Sequence, residues 1–211
     1  MDSVIAPRQW ALGIPLGWVP PSFADKSGLV IGQILYQDRV IPLNKIAYAL
    51  WYDALIGRVD FSRCGDADYL PPALAIEKRQ TGKTASPEEI ADAAQHLQES
   101  ELVWHFDPND PRGYREAEGF ELAVQGFPIG NVDRADRYRI AHNDGSPAIE
   151  LDGVPYMIWL QWWREPLLVR AAYAVADELG IRRTEVVGQA VGTLVAGMNV
   201  GLVYIAKVHK V

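Results

Sequence analysis

Two stretches decide how this chain is read: Ile41-Pro42-Leu43-Asn44-Lys45-Ile46-Ala47-Tyr48-Ala49-Leu50-Trp51 and Ile149-Glu150-Leu151-Asp152-Gly153-Val154-Pro155-Tyr156-Met157-Ile158-Trp159. Aligned without a gap, they match Leu43, Tyr48 and Trp51 with Leu151, Tyr156 and Trp159. In each, a short extended run meets a polar residue, Asn44 or Asp152, whose side chain can accept the orphan N–H groups of a helical first turn. Apolar residues then recur at helical spacing: Ile46, Leu50 and Tyr48, Trp51, Leu55 in the first, Val154, Ile158 and Tyr156, Trp159, Trp163 in the second. Each stretch is therefore read as the junction between a strand and a helix, occurring twice.

Working outward, the repetition continues in the same order. Upstream, Gly13-Ile14-Pro15-Leu16-Gly17 returns as Gly126-Phe127-Pro128-Ile129-Gly130, and downstream Leu102-Val103-Trp104 returns as Leu202-Val203-Tyr204. Ordered matches with changing spacing point to a diverged duplication with altered loops. Gly-x-Pro-x-Gly is read as a tight turn. Before each helix the pattern predicts strands at residues 29–36 and 39–43, and at 137–141 and 148–151, the latter pair joined by a turn at Asn143-Asp144-Gly145-Ser146.

Second helices are predicted at residues 71–78, followed by a loop over 79–84, and at 166–179, stopped by Gly180. The third helix of the first copy opens with Ser86-Pro87-Glu88-Glu89, a capping serine with a proline at the first helical position and a glutamate placed to close a capping box. Thr184 is the corresponding cap in the second copy. A strand follows each third helix: residues 102–106, with a turn at Asp107-Pro108-Asn109-Asp110 and a return near 120–124, and residues 201–208. The expected fold class is α+β, as tandem winged helix-turn-helix modules of three helices and a small antiparallel sheet, with boundaries at 1–125 and 126–211.

The run Ile-x-Leu-Asn/Asp-x-x-x-Tyr-x-x-Trp, a second helix, a capped third helix and a closing Leu-Val strand resemble the PqqD-like winged helices, the recognition elements of ribosomal peptide biosynthesis. The second copy matches from about Tyr138 to Ile205, the first over 40–55 and 86–106. Family members usually have one module, and Gly often closes the first helix; Gly57 fits that place, whereas the second copy has Arg164-Glu165. The resemblance implies a non-catalytic module that chaperones a leader peptide, pairing it with an edge strand beside the third helix. Carried over, it places a peptide groove near Arg139 and Ile140.

Composition frames the functional classes. The 211 residues are 49% hydrophobic and 22% charged, with a net charge of −7, which implies a folded, soluble chain that repels nucleic acid and anionic membranes on average. Most winged helices bind DNA through the third helix. Here residues 87–100 carry four carboxylates and no Lys or Arg, and residues 185–199 carry no Lys or Arg. Arg182, Arg183, Lys207 and Lys210, with His209, are the remaining candidates for a nucleic-acid patch, or else a solvated loop and tail.

Trp159 and Trp163 share a helical face and are expected to be buried, leaving Trp162 as the candidate interface residue, with core or the seam between modules as its alternative. Gly188, Gly192 and Gly197 lie along one flank of the last helix, where small residues allow close approach of a second module, a dimer partner or a peptide. The four histidines lack metal-ligand spacing, and no phosphate loop or nucleophile elbow is present. No cofactor, metal or catalytic residue is expected. The lone Cys64 fits a reducing compartment. With no signal-peptide pattern or bilayer-length apolar run, the expected address is cytoplasmic. The leading expectation is a protein- or peptide-binding module without enzymatic activity; the rivals are a DNA-binding regulator and a structural or assembly subunit.

Overall fold

Asn44 does what its position requires: its side chain accepts the Ala47 N–H at 2.8 Å and starts a helix. In the computed structural model, which describes residues 8–19, 31–106, 117–131 and 136–209, the first copy runs β1 (Arg8–Ala11), β2 (Ile14–Val19), β3 (Ile31–Tyr36), β4 (Arg39–Leu43), α1 (Lys45–Leu55), α2 (Pro72–Thr81), α3 (Pro87–Glu99) and β5 (Val103–Phe106). The second runs β6 (Phe120–Val124), β7 (Phe127–Asn131), β8 (Arg137–Ala141), β9 (Pro147–Asp152), α4 (Gly153–Trp162), α5 (Leu168–Leu179), α6 (Arg183–Asn199) and β10 (Val203–Val208). The order is the same twice, and the chain divides into two compact units, Ala6–Asp107 and a second that holds Pro108–Val211.

Within each unit the middle strands form an antiparallel meander, β2-β3-β4 or β7-β8-β9, and the outer strands pair with each other, β1 with β5 and β6 with β10. This corrects the expected winged arrangement. Phe120–Val124 does not return against β5 as a wing; it pairs with Val203–Val208, while Val103–Phe106 pairs with Arg8–Ala11. The reason is the repeat itself. The 120–124 strand precedes Gly126-Phe127-Pro128 as 8–11 precedes Gly13-Ile14-Pro15, and it buries Phe120 and Leu122 in the second unit's core. The protein is an α+β chain of two helix-rich regions, each flanked by small antiparallel sheets.

The repeated Gly-x-Pro-x-Gly is a strand with a bulge, where the sequence suggested a tight turn. Leu16 and Ile129 are the extra residues, since the register skips between Pro15 and Gly17 and between Pro128 and Gly130. Gly17 and Gly130 have φ of 93° and 112°, a region open to glycine and costly for residues with a Cβ.

Equivalent tryptophans lock the first helix of each unit to the chain just before this strand. Trp51 Nε1 donates to the Leu12 carbonyl at 2.9 Å, and Trp159 Nε1 to the Gly126 carbonyl at 3.3 Å. Both indoles are fully buried, so each donor must find an acceptor inside the fold. The same linkers are held from the other side by Leu12 N–H to Leu102 O and Gln125 N–H to Leu202 O. Around these ties sit Ile34, Leu43, Leu50, Ile90 and Leu97 in one core, and Ile140, Ile158, Leu168, Val191 and Leu194 in the other.

Capping differs between the copies. Ser86 forms the full capping box with Glu89. Asp152 stands where Asn44 does but makes no cap bond: the residue three places on, which in the first copy is the donor Ala47, is Pro155, and a proline nitrogen has no hydrogen to give. Its carboxylate pairs with Arg137 at 3.3 Å instead. Thr184 is not a cap either: α6 starts one residue earlier, at Arg183, after Arg182. α2 extends to Thr81 and closes on left-handed Gly82, with φ of 73°, so part of the expected 79–84 loop is helix. In the second unit α5 packs along α6; in the first, α2 packs against α1 and buries only Leu74. Sixteen residues (56–71) separate α1 from α2, against five (163–167) between α4 and α5.

Candidate binding site

The feature of the second unit best suited to receive a partner is the edge of its meander. Among the described residues β9 is the last strand of that sheet, with β8 as its one neighbour, and α6 packs against it. Its sequence, Pro147-Ala148-Ile149-Glu150-Leu151-Asp152, follows from strand alternation. Leu151 turns into the core, and its cross-strand partner Tyr138 stacks on Tyr156 of α4 at 4.1 Å between ring centroids. Glu150 and Asp152 lie on the opposite, solvent-facing side.

There they meet Arg139 and Arg137 of β8 in a charged ladder: Arg139–Glu150 at 2.8 Å, Arg137–Asp152 at 3.3 Å and Arg137–Glu150 at 3.8 Å. These are exposed pairs, each contributing at most about 1 kcal/mol; their main effect is to orient the side chains. Beside them a cleft of about 300 Å³ is lined by Arg139, Pro147, Ala148, Ile149 and Glu150. A small bulge at Ala148 precedes the regular run Ile149–Asp152.

The residues expected to line a groove lie one strand in from this edge. Arg139 and Ile140 lie on central β8, whose backbone is paired with β7 on one side and β9 on the other. Ile140 is fully buried. Arg139 reaches the cleft through its side chain; the edge itself is β9. The order strand-strand-strand-helix carried this signal, since the last strand of a three-stranded meander is an edge.

The tryptophans exchange the roles assigned to them. Trp162 is 1% exposed and packs on Trp159, with ring centroids 5.7 Å apart, while Trp163 is 53% exposed. The buried face of α4 runs Ile158, Trp159, Trp162, and Trp163, the cap residue, lies on the other side of Trp159. Gly188 is half-buried and Gly192 exposed, and a Cβ at either would meet nothing within 4 Å. Gly197 differs, because a Cβ there would strike Val203 and the Trp159 ring.

The basic candidates that the structure describes have separate surroundings. Arg183 is engaged by Asp177 through two bonds of 3.0 and 2.8 Å and lies 4.9 Å over the Tyr173 ring. Arg182 is an exposed residue before α6. Lys207 is half-buried opposite Glu121 in the β6–β10 ladder, and His209 Nε2 lies 2.7 Å from that glutamate. Lys210 lies outside the described residues.

The first unit holds a residue the sequence did not single out. Asp53 is 2% exposed, and its carboxylate accepts the Ala73 N–H at 2.8 Å, capping α2 from a different helix. Burial pushes its pKa above the usual carboxylate range, against the lowering effects of the Ala73 bond and Arg58. Nearby, burial, with Asp60 and Asp66 adding to it, pushes the Cys64 thiol up to about 11, away from the activated range of a nucleophile.

Among the described residues no cluster of three or more His, Cys, Asp or Glu is placed to hold a metal ion, and no helix is long and apolar enough to cross a membrane. Compared with protein-family models, with curated proteins and with solved structures, the chain has no significant match.

Proposed function

We propose that this chain is a non-catalytic binding protein whose second unit takes an extended segment of a protein or peptide along the edge strand β9. The observation that carries this reading is the position of Pro147–Asp152 at a sheet edge, against α6 and beside a cleft. Extended segments dock on such edges through main-chain hydrogen bonds, with neighbouring pockets selecting alternate side chains. The resemblance to PqqD-like recognition elements points the same way, because it implies pairing at an edge strand beside a third helix. The acidic balance and the third helices without Lys or Arg after the α6 start argue against a DNA-binding regulator, as does the engagement of Arg183 by Asp177.

The test is selection of binders from a random peptide library displayed on phage, with the full chain as bait, followed by hydrogen exchange on the complex. The expected result is protection concentrated on 147–152 and the start of α6. Enriched peptides that protect neither segment, or enrichment of nucleic acid alone, would overturn the reading.

A further inference from the structure

Among the described residues four outer edges bound the two three-stranded meanders, and the sequence does not treat them alike. β2 and β7 are broken by their bulges at Leu16 and Ile129, a common protection for an edge. β4 is regular but has a proline at its fourth position, Pro42. The β3–β4 hairpin turns through Gln37 and Asp38, with φ of 50° and 61°, the conformation of a two-residue primed turn whose flanking pair, Tyr36 and Arg39, is hydrogen-bonded. Counting by alternation along the register, Ile34–Ile41 and Gly32–Leu43 are also bonded pairs and Gln33–Pro42 is not. The nitrogen of Pro42 therefore faces the open edge, and it has no hydrogen to donate.

Glu150 occupies this same register position in β9, paired with Arg139 as Pro42 is with Gln33. β9 has its own bulge, at Ala148, but the run Ile149–Asp152 beyond it is regular and has no proline. Duplication produced two equivalent edges, and one of them has a proline where the other has a glutamate.

The charges indicate what the second edge takes. On the solvent face, β8 presents Arg137 and Arg139, and β9 presents Glu150 and Asp152. The next strand outward continues the alternation favourably when its residues opposite Glu150 and Asp152 are basic, since opposite charges across strands attract and like charges repel. A second copy of this chain is disfavoured on the same ground, because pairing β9 with β9 sets acidic residues against acidic ones.

We infer that β9 selects an extended segment with basic residues at alternate positions, and that the first unit's counterpart, β4, is closed to such pairing by Pro42. This rests on the binding role proposed for β9 and adds its selectivity. The experiment measures binding of two short labelled peptides to the full chain by fluorescence anisotropy at low salt. One alternates lysine with valine, the other glutamate with valine. The lysine peptide is expected to bind about threefold to tenfold more tightly and to protect 149–152, leaving 40–43 unchanged.

Glu150→Gln keeps the backbone donor and is expected to shrink the preference, Glu150→Lys to reverse it, and Glu150→Pro to abolish binding of both peptides. Should the proline variant fail to fold, the glutamine and lysine variants still read the selectivity. Equal affinity for the two peptides with protection at β9 overturns the charge selection and leaves β9 as a docking edge. Protection at 40–43 overturns the closure of the first unit. Absence of β9 protection by either peptide overturns this inference, and the same absence with library-selected peptides overturns the β9 role as well.

Discussion

Replacing Asp53 separates two effects that the structure combines in one carboxyl group. Its Oδ2 is the acceptor for the Ala73 N–H at the start of α2, and its burial raises the pKa above the ordinary value. Asp53→Asn keeps an acceptor oxygen of nearly the same shape and removes the buried charge. Asp53→Ala removes the acceptor, leaves an N–H of the first turn without its partner, and is expected to cost about 1–2 kcal/mol in acid, where the parent's carboxyl is neutral.

The pH dependence follows from linkage. A carboxyl group whose folded-state pKa is raised binds its proton more tightly in the folded chain. Its contribution is fully present below the unfolded value of about 3.9 and is lost as pH rises through the folded value. Relative to the parent, the asparagine variant should therefore gain stability from acidic to neutral pH, while the alanine variant shows a loss of about 1–2 kcal/mol in acid. Urea unfolding of the full chain at several pH values, followed by circular dichroism, reads both. An asparagine penalty that grows with pH would refute the reasoning, because the ionised form would then be stabilised in the folded chain, with Arg58 the nearest candidate cause.

Two further predictions follow from local geometry. Gly32→Ala places a Cβ into the ring of Tyr48 and should destabilise by about 1–3 kcal/mol, whereas Gly192→Ala meets open space on a helix and should stabilise by about 0.5–1 kcal/mol; urea midpoints distinguish the two directions. With its thiol pushed up to about 11, Cys64 should react with iodoacetamide at about pH 8 roughly a hundredfold more slowly than an ordinary thiol, and unfolding in urea should restore the rate.

The parts of the fold legible in the sequence were those fixed by neighbouring residues. Asn44, Ser86 and Gly180 mark helix ends through their own side chains or backbone freedom, and the structure shows each in its expected role. Asp152 stands in the same place as Asn44, but the signal against it as a cap was local: the donor to Asn44 is Ala47, and the equivalent residue is Pro155, which has no N–H. The partner of Phe120–Val124 had no such local sign: its pattern announces a strand, while its choice of β10 over β5 is a tertiary outcome.

The tryptophan error has a narrower origin. Helical periodicity placed Trp163 with Trp159, but the buried face runs Ile158, Trp159, Trp162, so it lies to one side of Trp159, and Trp163, which keeps helical dihedrals at the cap, lies to the other. For the candidate site, the sequence pointed to Arg139 and Ile140, which the structure places on the central strand β8. The edge was not assigned to β9, because alternation identifies strands without ordering them in a sheet.

The pairing of first strand with last has a consequence for how such a unit travels between proteins. Arg8 lies opposite Phe106, and Phe120 opposite Val208, so the chain enters and leaves each unit at neighbouring points. A segment with adjacent ends can be copied head to tail, spliced into a surface loop of another host, or reopened at a different turn and rejoined across the old ends, with little strain on its interior. The tandem repeat is one product of that freedom, and a circularly permuted unit that starts at β2 and ends at β1 is another that this topology allows.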